Sequence, residues 1–316
     1  MRHARPAAGT VNAAGPCQGG ALTATGLGQD TRMPVDAAWL TCPAYVLRDD
    51  QAAAAALAAA QAVSPLPVHP SPLLAERCPP GAWPAAERRR ADFTTALNHR
   101  LIFAARGGYG CLDLAELAAA HRGPWPRLVG YSDLTVLHAA WWQAGRRDGV
   151  YGFLAGVAHG ERARSSAAAL LRGQPVACTL PPHAALRPGQ VDAPCFPACL
   201  RVLAGLCGTP LQPDLRGAVL AIEDIDEKPY AIDRDLRQLH ASGALAGVVA
   251  LVGGRFPWTP APGYAGPQAP AIITAWADRL GIPAWTGIPF GHDDDPLALP
   301  VGGRIRLADD RLDAWP

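Results

Sequence analysis

PWPRLVGYSDLTVLHAAWW, residues 124–142, decides how this chain folds. A short apolar run, RLVGY, stops at Tyr131; Ser132-Asp133 follows, and an apolar stretch of helical character begins at once. Strand, tight turn and helix in such quick succession form the repeating unit of a parallel sheet. The serine at the turn has two readings. It is a helix N-cap, whose hydroxyl would satisfy an orphan backbone N–H, or a nucleophile displayed where a strand ends.

The same alternation extends both ways. Toward the N-terminus, PVDAAWLTCPAYV (34–46) reads as the first strand and its turn, and DDQAAAAALAAAQAV (49–63) as an alanine-rich helix opened by carboxylates that suit its positive end. AAERRRADFTTALN (85–98) reads as a helix, RLIFAARGGYG (100–110) as a strand closing in a glycine-rich turn, and CLDLAELAAAHR (111–122) as a helix. Toward the C-terminus, Pro, Gly and Ala increase over about 152–198 and the pattern loosens. Beyond that, ACLRVLAGLCG is helical, GAVLAIE a strand and YAIDRDLRQLHASG a helix with glycine past its end. ALAGVVALVGG is a buried strand, APAIITAWADRLG a helix, IPAWTGIPFGH a strand running into a polar loop, and GGRIRLADDRLDAW a final hairpin. Residues 1–32 show no sustained period and are expected to lie outside the fold, with Met33 as a possible true start.

Composition narrows the function classes. Of 316 residues 49% are hydrophobic and 17% charged, with a formal net charge of +1. No basic excess suits nucleic acid. No run approaches the roughly 18 apolar residues that span a bilayer, and the N-terminus has no continuous apolar core for a secretory signal. The eight cysteines are dispersed, with no Cys-x-x-Cys pair and no zinc-site spacing. Reduced thiols and a cytoplasmic location are expected.

Three reactive residues each follow an apolar strand: Ser132 after RLVGY, Glu223 after AVLAI, and His292 after IPAWTGIPFG. Ligands of open parallel sheets collect at such carboxyl ends, and Ser, Glu and His are the parts of a hydrolytic triad. Each also has a plain reading. Ser132 is then a cap, Glu223 part of the solvated loop EDIDEKP, and His292 a loop histidine beside Asp293-Asp294-Asp295, which also makes a metal site conceivable. The turn RGGYG (106–110) can point backbone N–H groups at an anion or an acyl oxyanion. It lacks the G-x-G-x-x-G and Walker spacings that would signal a nucleotide.

Taken in order, RGGYG, GYSDLTVLH, LAIEDIDEKPYAIDRDLRQLHASG, GIPFGH and LPVGG resemble the LD-carboxypeptidase family of serine peptidases. That family includes the muramoyltetrapeptide carboxypeptidases and the microcin C immunity-type hydrolases. The resemblance runs from about Cys42-Pro43 through Gly303. It implies an α/β fold: an N-terminal, mostly parallel sheet flanked by helices (33–155), a crossing (156–198), and a smaller C-terminal α/β domain (199–316). The active site would lie in the cleft between domains. By the same similarity Ser132 is the nucleophile, His292 the general base and acid, and Glu223 the orienting carboxylate. The N–H groups of Asp133 and Gly108 would form the oxyanion hole, with Gly107 as the alternative to Gly108.

The implied reaction is release of a terminal D-alanine from a cytoplasmic muropeptide, as in cell-wall recycling. No metal or organic cofactor, nucleic acid or membrane partner is implied, and a homodimer is possible. The second reading is a related hydrolase acting on a peptide–nucleotide antibiotic. Arg106 is our own candidate for the substrate carboxylate, the alternative being a structural clamp. The chain departs from the family pattern in three places: Tyr151-Gly152-Phe153 where His-Gly-Pro is usual, Pro197-Ala198-Cys199 where Gly-Gly-Asn is frequent, and the acidic loop 293–295. These put the substrate in question more than the chemistry.

Overall fold

The computed structural model describes residues 33–78, 84–260, 262–308 and 310–316. The expectation for residues 1–32 lies outside the described residues. The first half lays down β1 (Val35–Thr41), α1 (Asp50–Val63), β2 (Val68–Pro70), α2 (Ala86–Ala96), β3 (His99–Ala104), α3 (Ala115–Ala120), β4 (Arg127–Val129), α4 (Thr135–Gln143), β5 (Gly149–Tyr151) and α5 (Glu161–Leu171). The second half adds β6 (Val176–Thr179), β7 (Ala185–Arg187), β8 (Gln190–Cys199), α6 (Leu200–Gly205), β9 (Val219–Glu223), α7 (Pro229–Ala241) and β10 (Ala250–Gly253). It closes with α8 (Ala269–Leu280), β11 (Ala284–Trp285), β12 (Leu299–Val301), β13 (Arg304–Ala308) and β14 (Arg311–Trp315).

Two sheets result. The first has six strands in the order β12-β5-β4-β3-β1-β2, all parallel except β12, which runs antiparallel along β5. The second has eight, β6-β14-β13-β8-β9-β10-β11-β7. Its middle, β8 to β11, is parallel and its flanks are antiparallel. The expected mixed α/β architecture is present, and the terminal hairpin is β13–β14.

Local chemistry sets the elements. Asp49 caps α1, accepting from Ala52 N at 2.7 Å, and Asp50 occupies the first turn. Every residue of β9, VLAIE, is buried, as a strand paired on both sides and covered on both faces requires. At 131–134 the chain departs from an ordinary helix start. Ser132–Leu134 form one 3-10 turn ahead of α4, and the Ser132 side chain makes no capping bond. Ser132 has φ +66°, the left-handed region that costs a non-glycine residue free energy. The cap reading therefore fails.

The stretch 156–198 is richer than its loosened pattern suggests, holding α5, β6, β7 and β8. Pro194 and Pro197 hide β8. The strand pairs β13 over its first half and β9 over its second, so each proline is registered against one partner strand only, the edge-like setting in which a sheet tolerates proline. After β11 the chain returns to the first sheet through β12, so the halves interlock rather than follow one another.

A buried carboxylate fastens the first sheet to its helices. Asp92 of α2 accepts from Ser71 Oγ at 2.6 Å, Trp39 Nε1 at 3.2 Å and the Thr41 hydroxyl. Removing a shared acceptor strands buried donors at about 1–3 kcal/mol each. Asp92→Ala should therefore lower the unfolding free energy by about 2–4 kcal/mol in urea denaturation. A change below about 0.5 kcal/mol, the scale of a neutral surface substitution, would refute this fastening role.

Candidate active site

The carboxyl ends of both sheets face one another. Ser132 comes from the turn after β4, the RGGYG turn follows β3, Tyr151 ends β5, Glu223 ends β9, and His292 lies in the loop after β11. Glu223 is fully buried. Its Oε2 accepts the His292 backbone N–H at 3.0 Å and lies 2.6 Å from His292 Nδ1. An acidic oxygen on Nδ1 fixes the proton there and leaves the Nε2 lone pair available. Gly291, at φ +87°, makes the approach possible, because a Cβ there would overlap Glu223 Cγ.

Ser132 joins this pair through Tyr151. The Ser132 N–H donates to Tyr151 Oη at 3.3 Å, and that hydroxyl donates to Glu223 Oε1 at 2.6 Å. Among the described residues no hydrogen bond links Ser132 Oγ directly to His292. Tyr131, the neighbour of Ser132, meets the His292 ring edge-on at 5.1 Å between centroids. Gly107 lies against the serine: a Cβ there would come within 3.0 Å of Ser132 Oγ.

Electrostatics follow from Glu223. Burial alone would lower the His292 pKa, but the hydrogen bond and charge of Glu223, backed by Asp224 and Asp226, outweigh it and raise the value. Burial, then the charge of Glu223, push Asp224 up to about 7, against hydrogen bonds from Arg201 N and Ile225 N. The same two causes hold Tyr131 in its protonated form.

Asp133 has a role that its type and position did not reveal. Its carboxylate is buried and accepts from Cys111 N at 2.8 Å, with a further backbone bond from Gly110. It thereby ties the glycine turn to the serine turn. Burial raises its pKa despite these donors. Gly107 C=O accepts from Tyr45 N at 3.2 Å, so the N–H of Gly108 points away from Tyr45 across a trans peptide. Arg106 is exposed and makes no ion pair among the described residues.

The acidic loop 293–295 has structural partners. Asp293 pairs with Arg255, and Asp295 accepts from Arg162 N at 3.0 Å and Ala163 N at 2.8 Å, capping α5 from far along the chain. No group of three or more His, Cys, Asp or Glu side chains suited to a metal occurs among the described residues. Beside His292 opens a cleft of about 600 Å³, lined in part by Phe256, Trp258, Gln268 and Asp294. Tyr151 and Thr135 were not singled out by type or pattern. The one signal for Tyr151 is its place at a strand end, where the family motif is broken.

The chain matches the LD-carboxypeptidase N-terminal domain over residues 40–152 and the LD-carboxypeptidase C-terminal domain over residues 192–307. A Streptomyces coelicolor protein carrying a carboxypeptidase name is 34% identical over 64% of this chain, and the alignment spans 66% of that protein's length. The murein tetrapeptide carboxypeptidase of Pseudomonas aeruginosa is 29% identical over 72% of this chain and 79% of its own. The muramoyltetrapeptide carboxypeptidase of Oxalobacter formigenes superposes with a TM-score of 0.75 at 26% identity, over 88% of this chain and 99% of that one. The microcin C7 self immunity protein shares the fold, with a TM-score of 0.71 at 16% identity over 90% and 98%. With both domain patterns present in order and the fold shared almost end to end, the chain belongs to the LD-carboxypeptidase family.

Proposed function

We propose that this protein is a serine LD-carboxypeptidase that hydrolyses the bond before a terminal D-alanine in cytoplasmic muropeptides. The observation that carries the proposal is the buried Glu223 carboxylate 2.6 Å from His292 Nδ1, beside a serine held at positive φ. Ser132 Oγ attacks the scissile carbonyl carbon and its proton passes to His292 Nε2. The carbonyl oxygen becomes an oxyanion, which the N–H groups of Asp133 and Gly108 receive. Collapse breaks the C–N bond, and His292 returns the proton to the departing amine of D-alanine. Water, deprotonated by His292, then releases the acyl group from Ser132. The mechanism requires Ser132 Oγ to come within hydrogen-bond reach of His292 Nε2 when substrate is bound, as catalytic hydrogen bonds commonly tighten only then.

Arg106, exposed beside the glycine turn and without an ion pair among the described residues, is our candidate to receive the terminal carboxylate. Asp133 supports the oxyanion hole twice, through its own N–H and through the carboxylate that anchors Cys111.

The test is D-alanine release from a tetrapeptide ending in D-alanine, run beside its L-alanine epimer. Release from the D-epimer alone, falling by about 10³–10⁶-fold in Ser132→Ala, is expected. Inactivity on both peptides, with cleavage of an aminoacyl-nucleotide analogue, would transfer the site to the antibiotic-directed reading.

The pH profile gives an independent check. A base must be neutral, so kcat/KM rises with pH through the His292 pKa. The raised value puts that limb above the ordinary imidazole value of about 6.5. In Glu223→Gln the carboxylate that favours imidazolium is gone, so the limb should move to lower pH while the rate falls. A limb that stays in place would dissociate Glu223 from the base.

A further inference from the structure

We propose that Tyr151 is a positioning residue of this site, its hydroxyl coupling the backbone of Ser132 to the Glu223 carboxylate. The inference rests on the triad reading above and adds a fourth member to it. Tyr151 ends β5 and is fully buried. Its oxygen accepts the Ser132 N–H at 3.3 Å and a hydrogen bond from the Thr135 hydroxyl, which in turn accepts from Cys199 N at 3.1 Å. A phenol has one proton to give. With its acceptor side engaged by Ser132 and Thr135, that proton is directed to Glu223 Oε1 at 2.6 Å.

Two consequences follow. Glu223 has both oxygens satisfied, Oε1 by Tyr151 and Oε2 by His292, so a fully buried side chain is held in one orientation. Ser132, whose φ of +66° is unfavourable, has its N–H held from the neighbouring strand end of its own sheet. The serine and the acid thus take their relative position from one oxygen atom.

The titratable groups around this hub come from several elements. Cys199 at the end of β8 and Glu223 act on Tyr151, and burial, followed by the Glu223 charge, keeps the phenol protonated. Tyr131 and His138 face it from the serine turn and α4. His138, which burial lowers to about 4, donates from Nε2 to Gly130 O and stays neutral. Asp224 and Asp226 act on His292 from the loop after β9. Because Asp224 titrates near 7, the His292 imidazole has to be followed directly.

Tyr151→Phe in the full chain removes only the hydroxyl. Less of the Glu223 charge is then neutralised, so the carboxylate holds the imidazolium proton more tightly. Expected are a fall in kcat of about 10–100-fold with KM within about threefold, and an upward His292 titration of about half a pH unit or more. The titration is read by NMR of labelled histidine, the resonance being identified by its loss in His292→Ala. A purely structural tyrosine would reduce the folded fraction and leave the imidazole titration where it was. An unmoved or downward titration overturns the proposal, whatever happens to the rate. If Tyr151→Phe does not fold, Thr135→Val decides. It weakens the phenol as a donor, so a smaller upward shift is expected and none would overturn the idea. Ser132→Ala, assayed alongside, separates the two readings. Loss of activity there with no effect at Tyr151 sinks this inference alone, and retained activity there sinks the triad.

Discussion

A carboxylate with no exposed surface is the constraint around which this molecule is arranged. Burying an unpaired charge costs several kcal/mol, and Glu223 sits at the end of a strand buried throughout its length. Three donors meet it: the His292 backbone N–H, the His292 ring and the Tyr151 hydroxyl. One comes from the first sheet and two from the loop beyond β11, so the two halves must be in register before the charge is tolerable. Gly291 is part of the same requirement, since any side chain there would occupy the space of the glutamate. The interlocking return of β12 to the first sheet fixes that register mechanically.

The second constraint is the strained turn at Ser132. A positive φ at a non-glycine residue persists only when its surroundings over-determine it. Here Tyr151 holds the serine N–H, Gly107 leaves room for its side chain, and the neighbouring Asp133 carboxylate is pinned to Cys111. Each restraint comes from a different strand end. The strain and the buried acid are consequently not independent, because Tyr151 touches both.

This arrangement explains what was legible in the sequence. Strand–helix alternation carried the first sheet, since β1, β3 and β4 are short apolar runs closed by turn residues, and α1 announces itself by Asp49. Ser132, Glu223 and His292 could be singled out as candidates because each follows an apolar run, at the strand ends where ligands of open sheets collect. The features that remained hidden are non-local. β8 is obscured by prolines that are harmless only because of how its neighbours divide along it. Asp295 caps a helix more than a hundred residues away, and the side chain of Asp133, at the start of its own helix, serves another turn. In each case the partners lie more than twenty residues apart, beyond the reach of local pattern.

Tyr151 shows why such residues escape a reading by type. Tyrosine at the end of a buried strand is expected as core packing, and most of its ring does pack, against Tyr131 and His138. What distinguishes it is a single oxygen whose three hydrogen-bonding directions are all engaged by groups from elsewhere in the chain. A hydroxyl that is already saturated has no freedom to reorient as charge moves on the histidine. On the proposal made above it would present Glu223 with a fixed dipole, the condition under which a buried site stabilises charge without reorganising. The departure from the family's usual motif at this position thus falls on the one residue whose hydroxyl bonds both the Ser132 N–H and Glu223 Oε1 among the described residues.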